Sequence, residues 1–222
     1  MLDGNVIAGL ESPGMRPALQ ARSRLLTARL INEALILLQN VDFEGISVEA
    51  LCARADATVG SFYSRFDSKD AFVVAVQRAV VEDTRRHIVR DYETGVAPSD
   101  TAAHFLGWVA KSATAWYRRH EGFVRASLRR AGDSPESWVP IREVGLLQRR
   151  YANPRLMRIL DRPADDGMED RIDMAFQMMV GALNNMVLIN PGPFTIHDPR
   201  TARMLARAML CFIESGGTDD VR

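Results

Sequence analysis

The residues best suited to act on another molecule fall in one run, Thr58-Val59-Gly60-Ser61-Phe62-Tyr63-Ser64-Arg65-Phe66-Asp67-Ser68-Lys69-Asp70. Their types suit binding rather than bond-making. Thr58 can cap a short helix whose apolar side is anchored by Phe62 and Phe66, which leaves Thr58, Val59, Ser61, Tyr63, Ser64 and Arg65 to face outward. A helix that reads the major groove of DNA must be short, capped and partly polar, and this run meets that demand. Gly60 permits close backbone approach. Lys69, directly after the Ser68 cap, sets a cation beside free helix N–H groups, and Tyr63 offers a hydroxyl, so both suit phosphate oxygens. Val59 suits contact with a thymine methyl. Arg65 reads equally as a solvated charge at a helix end. Ser47, which can cap the helix before this run, belongs with these residues as a DNA-contact candidate.

Chemistry of other kinds finds little support. The sequence holds no Gly-x-Ser-x-Gly elbow, phosphate loop, dinucleotide fingerprint or zinc motif, so an enzyme is not expected and neither is a cofactor. His87, His104, His120 and His197 lack metal-ligand spacing, and no metal is implied. Cys52 and Cys211 each sit in an apolar helical pattern, where a free thiol behaves as a small hydrophobe.

The elements that must position the run are helices. Apolar residues recur near period 3.6 in every long segment, and no stretch alternates long enough to make a strand. The fold class is therefore all-α: an N-terminal three-helix helix-turn-helix domain followed by a C-terminal helical bundle, about nine helices in total. Residues 1–20, with Gly4, Gly9, Pro13, Gly14 and Pro17, read as a flexible lead-in. Residues 21–70 form the reading domain, with a first helix carrying Leu26, Ile31, Leu35 and Leu38 on one face, a short second helix after Ser47 and a third after Thr58. Residues 71–95 form a connecting helix, and 96–222 a helical body. Pro154 predicts a break near Asn153. Pro191-Gly192-Pro193 predicts the turn between the last two helices.

At Gly45-Ile46-Ser47-Val48-Glu49-Ala50-Leu51-Cys52 and at the run 58–70 the chain resembles the tetracycline-repressor (TetR) family of bacterial regulators. The family pattern has a capping Ser or Thr, a Gly, a hydrophobe followed by Tyr, a Phe three positions later, then Lys and an acidic residue. Thr58, Gly60, Phe62, Tyr63, Phe66, Lys69 and Asp70 match it. The likeness covers about residues 24–75. Asp56 departs from it, standing where the inter-helix turn usually has Gly; Asp tolerates the left-handed conformation better than most residues but puts an anion near DNA. The resemblance implies a DNA-binding regulator whose body dimerises and takes an effector, with the last two helices packing against the partner's. Gly181, Ala182 and Asn185 on one stripe and Leu205, Met209 and Ile213 on another agree with such an interface. Phe105, Trp108, Phe123, Trp138, Met174 and Met178 are candidates to line the effector cavity, with ordinary core or dimer contact as the alternative for each. The expectation is a repressor that binds a palindromic double-stranded operator as a homodimer and is released by a small apolar or amphipathic effector. The alternative is a helix-turn-helix protein whose body binds a protein partner.

Charge does not find the DNA. Basic and acidic residues balance at 28 each, and residues 16–69 carry seven cations against six anions. Four of those cations precede residue 30, which leaves room for a local basic arm. The longest apolar runs fall short of the roughly 18–20 residues that span a bilayer. No secretory signal pattern opens the sequence, so the expected place is the cytoplasm.

Overall fold

A computed structural model of the chain describes residues 2, 4–161, 167–190 and 192–215. Among these residues the structure is all-α, with ten α-helices and a single isolated β-bridge. The helices are α1 (Gly4–Ala8), α2 (Ala21–Leu37), α3 (Val48–Arg54), α4 (Val59–Tyr63), α5 (Lys69–Glu93), α6 (Ala102–Arg119), α7 (Glu121–Asp133), α8 (Val139–Leu160), α9 (Met168–Leu188) and α10 (Thr201–Glu214), with a 3-10 turn at Pro135–Trp138.

Packing does not follow the order of the chain. Residues up to His87 form one compact unit together with Gly122–Val144, and Ile88–Glu121 forms a second with the described residues from Gly145 onward. In the first unit the apolar stripe of α2, Leu30, Ile31, Ala34 and Leu38, is fully buried. Phe62, Phe66 and Phe72 close a three-ring cluster with centroids 5.0–5.3 Å apart, which ties α4 to the start of α5. Such ring pairs add packing beyond their buried area.

The lead-in expected to be flexible is built into this unit. Leu2, Val6 and Ile7 are buried, and the Leu2 amide donates to Asn32 Oδ1 at 3.0 Å. Glycine and proline density made the segment look like loop, whereas Val6 and Ile7 on α1, with Leu2 before it, seat it on α2. Helix α7 joins the same unit: Phe123 meets Phe43 edge-on at 6.3 Å, and Gly122 lies directly against the Leu38 carbonyl.

In the second unit α10 packs on α6 and α9, and the Tyr117 hydroxyl donates to Asn184 Oδ1 at 2.7 Å. The break expected near Asn153 does not occur, because α8 runs through Pro154 to Leu160. Side chains on both sides of the proline hold that stretch: Asn153 Nδ2 donates to Asp173 Oδ1 at 2.9 Å, and Arg155 Nη1 donates to the Ala97 carbonyl at 2.6 Å. A proline removes one backbone donor, and tertiary bonds of this kind can offset the loss. Pro191, part of the expected turn, lies outside the described residues; α9 ends at Leu188, and Asn190, two residues on, stands at φ +51°. Among the described residues no helix is long and apolar enough to cross a membrane.

Candidate nucleic-acid interface

Two short helices present the interface, and each is opened by its own cap. Ser47 Oγ accepts from the Ala50 amide at 3.1 Å and donates to Glu49 Oε2 at 2.8 Å. A backbone hydrogen bond, and after it the Ser47 hydroxyl, hold the exposed Glu49 carboxyl below its ordinary range. At α4 a reciprocal capping box forms: Thr58 Oγ1 accepts from the Ser61 amide and Ser61 Oγ accepts from the Thr58 amide, both at 3.0 Å. This arrangement satisfies two amides that a helix start leaves without partners. The turn between α3 and α4 passes through Asp56 at φ +51°, the left-handed conformation its departure from Gly demanded. Its carboxylate is 96% exposed and lies 3.6 Å from Arg29 Nη1, so a cation stands beside the anion.

The caps settle which hydroxyl protons are already bonded within the helix. Ser61 Oγ donates to the Thr58 carbonyl at 2.7 Å, and Ser64 Oγ donates to the Ser61 carbonyl at 2.8 Å. Both serine oxygens are therefore left with acceptor capacity only, while the Thr58 hydroxyl proton carries no such bond among the described residues. Thr58, Val59 and Gly60 are exposed and Ser61 is half-buried. A Cβ on Gly60 would meet nothing nearer than Thr58 Oγ1 at 3.8 Å, so the backbone is open to solvent there. Tyr63 is 46% exposed and braced edge-on against Phe62 at 5.2 Å. Lys69 Nζ donates to the Glu44 carbonyl at 2.8 Å, which fixes the ammonium and leaves two N–H groups for another acceptor.

Arg65 requires a correction. It is only 5% exposed, its Nε donates to Thr27 Oγ1 at 2.9 Å, and its Nη1 is buried without a hydrogen-bond partner. Burial also lowers its pKa. Helix α4 ends at Tyr63, so the phase that would have turned Arg65 outward does not reach it.

Sequence reasoning missed the groups that pair the acidic residues around this interface. Arg129 Nη1 meets Asp42 Oδ2 at 2.6 Å, and Arg130 reaches Glu44 at 3.3 Å and Asp70 at 3.0 Å. Arg125 Nη2 donates to the carbonyls of Leu38 at 3.2 Å and Gln39 at 2.9 Å. Three arginines of α7 thus hold the loop between α2 and α3. Their positions, on one helix face, were visible in the sequence; their partners, more than eighty residues away for all but Asp70, were not. Arg22 and Arg24 are exposed and make no ion pair among the described residues.

The candidate cavity residues are divided between the two units. Phe105 is buried in the second unit beside Trp108, whose ring lies 6.1 Å away and is half-buried. Phe123 fills the core of the first unit and Trp138 sits on that unit's 3-10 turn, while Met174 and Met178 are exposed on α9. Of the candidate dimer residues, Gly181 and Asn185 are exposed, and Ala182 and Leu205 are half-buried. Met209 and Ile213 are buried within their own unit, so they are removed from the interface set. The exposed apolar stripe of α10 is instead Met204, Ala208, Cys211 and Phe212. Both faces of α10 are apolar, and periodicity alone does not say which one turns to the protein's own core.

Residues 30–76 match the family model for bacterial regulatory proteins of the tetR family. Over that stretch the chain is similar to the TetR family. The α3–α4 pair lies within the matched residues, where the family resemblance places a helix-turn-helix, and the family is described as one of bacterial regulatory proteins. Solved structures extend the likeness in fold beyond this domain. A chain from Pseudomonas aeruginosa PAO1 described as a candidate transcriptional regulator shares 20% identity at a TM-score of 0.60, with 89% of this chain and 93% of that one covered. A TetR transcriptional regulator from Rhodococcus sp. RHA1 shares 15% identity at a TM-score of 0.50, over 90% and 100%. No curated protein matches the chain.

Proposed function

We propose that two copies of this TetR-type chain bind a DNA operator of inverted half-sites and repress by occupying it, and that a small apolar or amphipathic effector taken up by the second unit releases the DNA. The observation that carries the DNA half is the doubly capped α4 with Thr58, Val59, Gly60 and Tyr63 facing solvent. In this reading Thr58 and Val59 touch base edges, Tyr63 and Lys69 hold phosphates, and Ser47, Ser61 and Ser64 contribute hydroxyl oxygens. Effector release requires that the effector bind the DNA-free state more tightly than the DNA-bound one.

Lys69→Ala tests the phosphate contact. The variant is expected to weaken binding evenly across DNA sequences and to flatten the salt dependence of affinity by about one unit. Salt titrations of both proteins check this, and an unchanged slope would remove Lys69 from the interface.

The dimer is proposed to form through the exposed stripes of α9 (Met174, Met178, Gly181, Asn185) and α10 (Met204, Ala208, Phe212). Small Gly181 and Ala208 allow helices to approach closely. Met178→Glu would bury an unpaired carboxylate in each copy, at a cost large enough to split the dimer. Sedimentation should then show a monomer with weakened operator binding. A variant that still sediments as a dimer would place the interface elsewhere.

A further inference from the structure

The family match begins at residue 30, yet residues 14–16 are bonded to residues 64–67 at the exit of the reading helix. The Arg16 amide donates to the Arg65 carbonyl at 2.9 Å and the Asp67 amide donates to the Gly14 carbonyl at 2.8 Å, on either side of the antiparallel bridge between Met15 and Phe66. The Arg16 guanidinium then takes hold of the helix exit itself. Its Nη1 donates to the carbonyl of Ser64, the C-cap residue of α4, at 3.2 Å, and its Nη2 donates to Asp67 Oδ1 at 3.0 Å. The start of the segment is tied to α5, where Arg78 Nη1 donates to the Glu11 carbonyl at 3.2 Å. Gly14 makes the path possible: it sits at φ +68°, and a Cβ there would lie 2.7 Å from the Ala71 Cβ.

We propose that residues 11–16 are a strap that sets the angle of α4 against DNA, with Arg16 as a positioning residue for sequence discrimination rather than a phosphate contact. Helix α4 spans only five residues, so its own hydrogen bonds do little to fix its direction. Its start is fixed by the Thr58–Ser61 box and its end by the strap. Arg16 bonds two groups that follow one another at that end, and a planar guanidinium holds two such acceptors in fixed relation. Base-edge contacts depend on helix angle, whereas contacts to phosphates tolerate small rotations. Loosening the strap should therefore harm discrimination more than adhesion.

The inference rests on the chain's being a DNA binder, so the test measures the affinity of full-length protein for a sequence selected from random DNA and for bulk duplex DNA in parallel. Arg16→Ala is expected to lower the ratio of selected-site to bulk affinity by about fivefold, the effect of one well-placed exposed ion pair, while affinity for bulk DNA stays within about twofold. Asp67→Ala leaves the strap's own residues in place and should shift the ratio the same way. Asp67→Asn keeps an acceptor for Arg16 Nη2 and should stay near the wild-type ratio. Equal loss on selected and bulk DNA would make Arg16 a phosphate contact and overturn the proposal. An unchanged ratio in both alanine variants would overturn it as well. Failure of the wild-type protein to bind either DNA would instead refute DNA binding itself.

Discussion

Phe62→Ala should destabilise the first unit by about 3–5 kcal/mol, the range for removing a fully buried aromatic side chain. Phe62 is 0% exposed and its ring touches those of Tyr63, Phe66 and Phe72 at 5.2–5.3 Å. The residue therefore joins α4 to α5 and also backs the ring of Tyr63. No neighbouring side chain is free to fill the space, because Phe66 and Phe72 already pack against each other at 5.0 Å. Urea unfolding measures the loss, and DNA affinity should fall with it, since α4 loses its ring packing against α5. A loss below 1 kcal/mol would mean that the three-ring cluster does not hold the reading helix.

Gly122→Ala should be the most damaging single-methyl addition to the same unit. An ideal Cβ at this position would lie 2.1 Å from the Leu38 carbonyl oxygen, 2.5 Å from its carbon and 2.8 Å from the Gln39 Cα. Backbone cannot swing aside as a side chain can, so α7 and the loop after α2 must separate. Overpacking of this kind costs roughly 1–3 kcal/mol and sometimes more. The loop also carries Asp42 and Glu44, the partners of Arg129 and Arg130, and the Glu44 carbonyl that holds Lys69 Nζ. Weaker DNA binding should accompany the lower stability. Gly107→Ala in α6 is the matched control: a Cβ there meets nothing within 4 Å. It should be neutral or stabilise by up to about 1 kcal/mol through helix propensity. Equal melts for the two variants would contradict the close approach at Gly122.

The capped helices proposed to face DNA were legible because their determinants are local. Ser47 and Thr58 announce their helices by capping, Phe62 and Phe66 mark the anchored face, and Asp56 announces a left-handed turn, all within a few residues of the feature they control. Arg65 escaped because its role is set by Thr27, thirty-eight positions earlier, and by a helix that stops two residues before it. The strap escaped for a related reason: glycines and prolines that suggest disorder also permit a tight path, and only the contacts with Arg65, Asp67 and Ala71 tell the two apart. The near-neutral charge of the reading domain looked like an argument against DNA. The acidic residues Asp42, Glu44, Asp56, Asp67 and Asp70 each stand beside an arginine, which offsets their charge locally. In the second unit helix periodicity was visible, yet α10 is apolar on two sides, and the choice of Met209 and Ile213 over Met204 and Phe212 could not be made without the packed bundle.

Selection of bound sequences from a random double-stranded DNA pool tests the central claim most directly, because it asks at once whether the chain reads DNA and how its reading heads are spaced. The account predicts enrichment of two inverted half-sites whose centres lie about one helical turn, roughly 34–36 Å, or a multiple of it apart. Recovery of a pool with no motif beyond the input would contradict it.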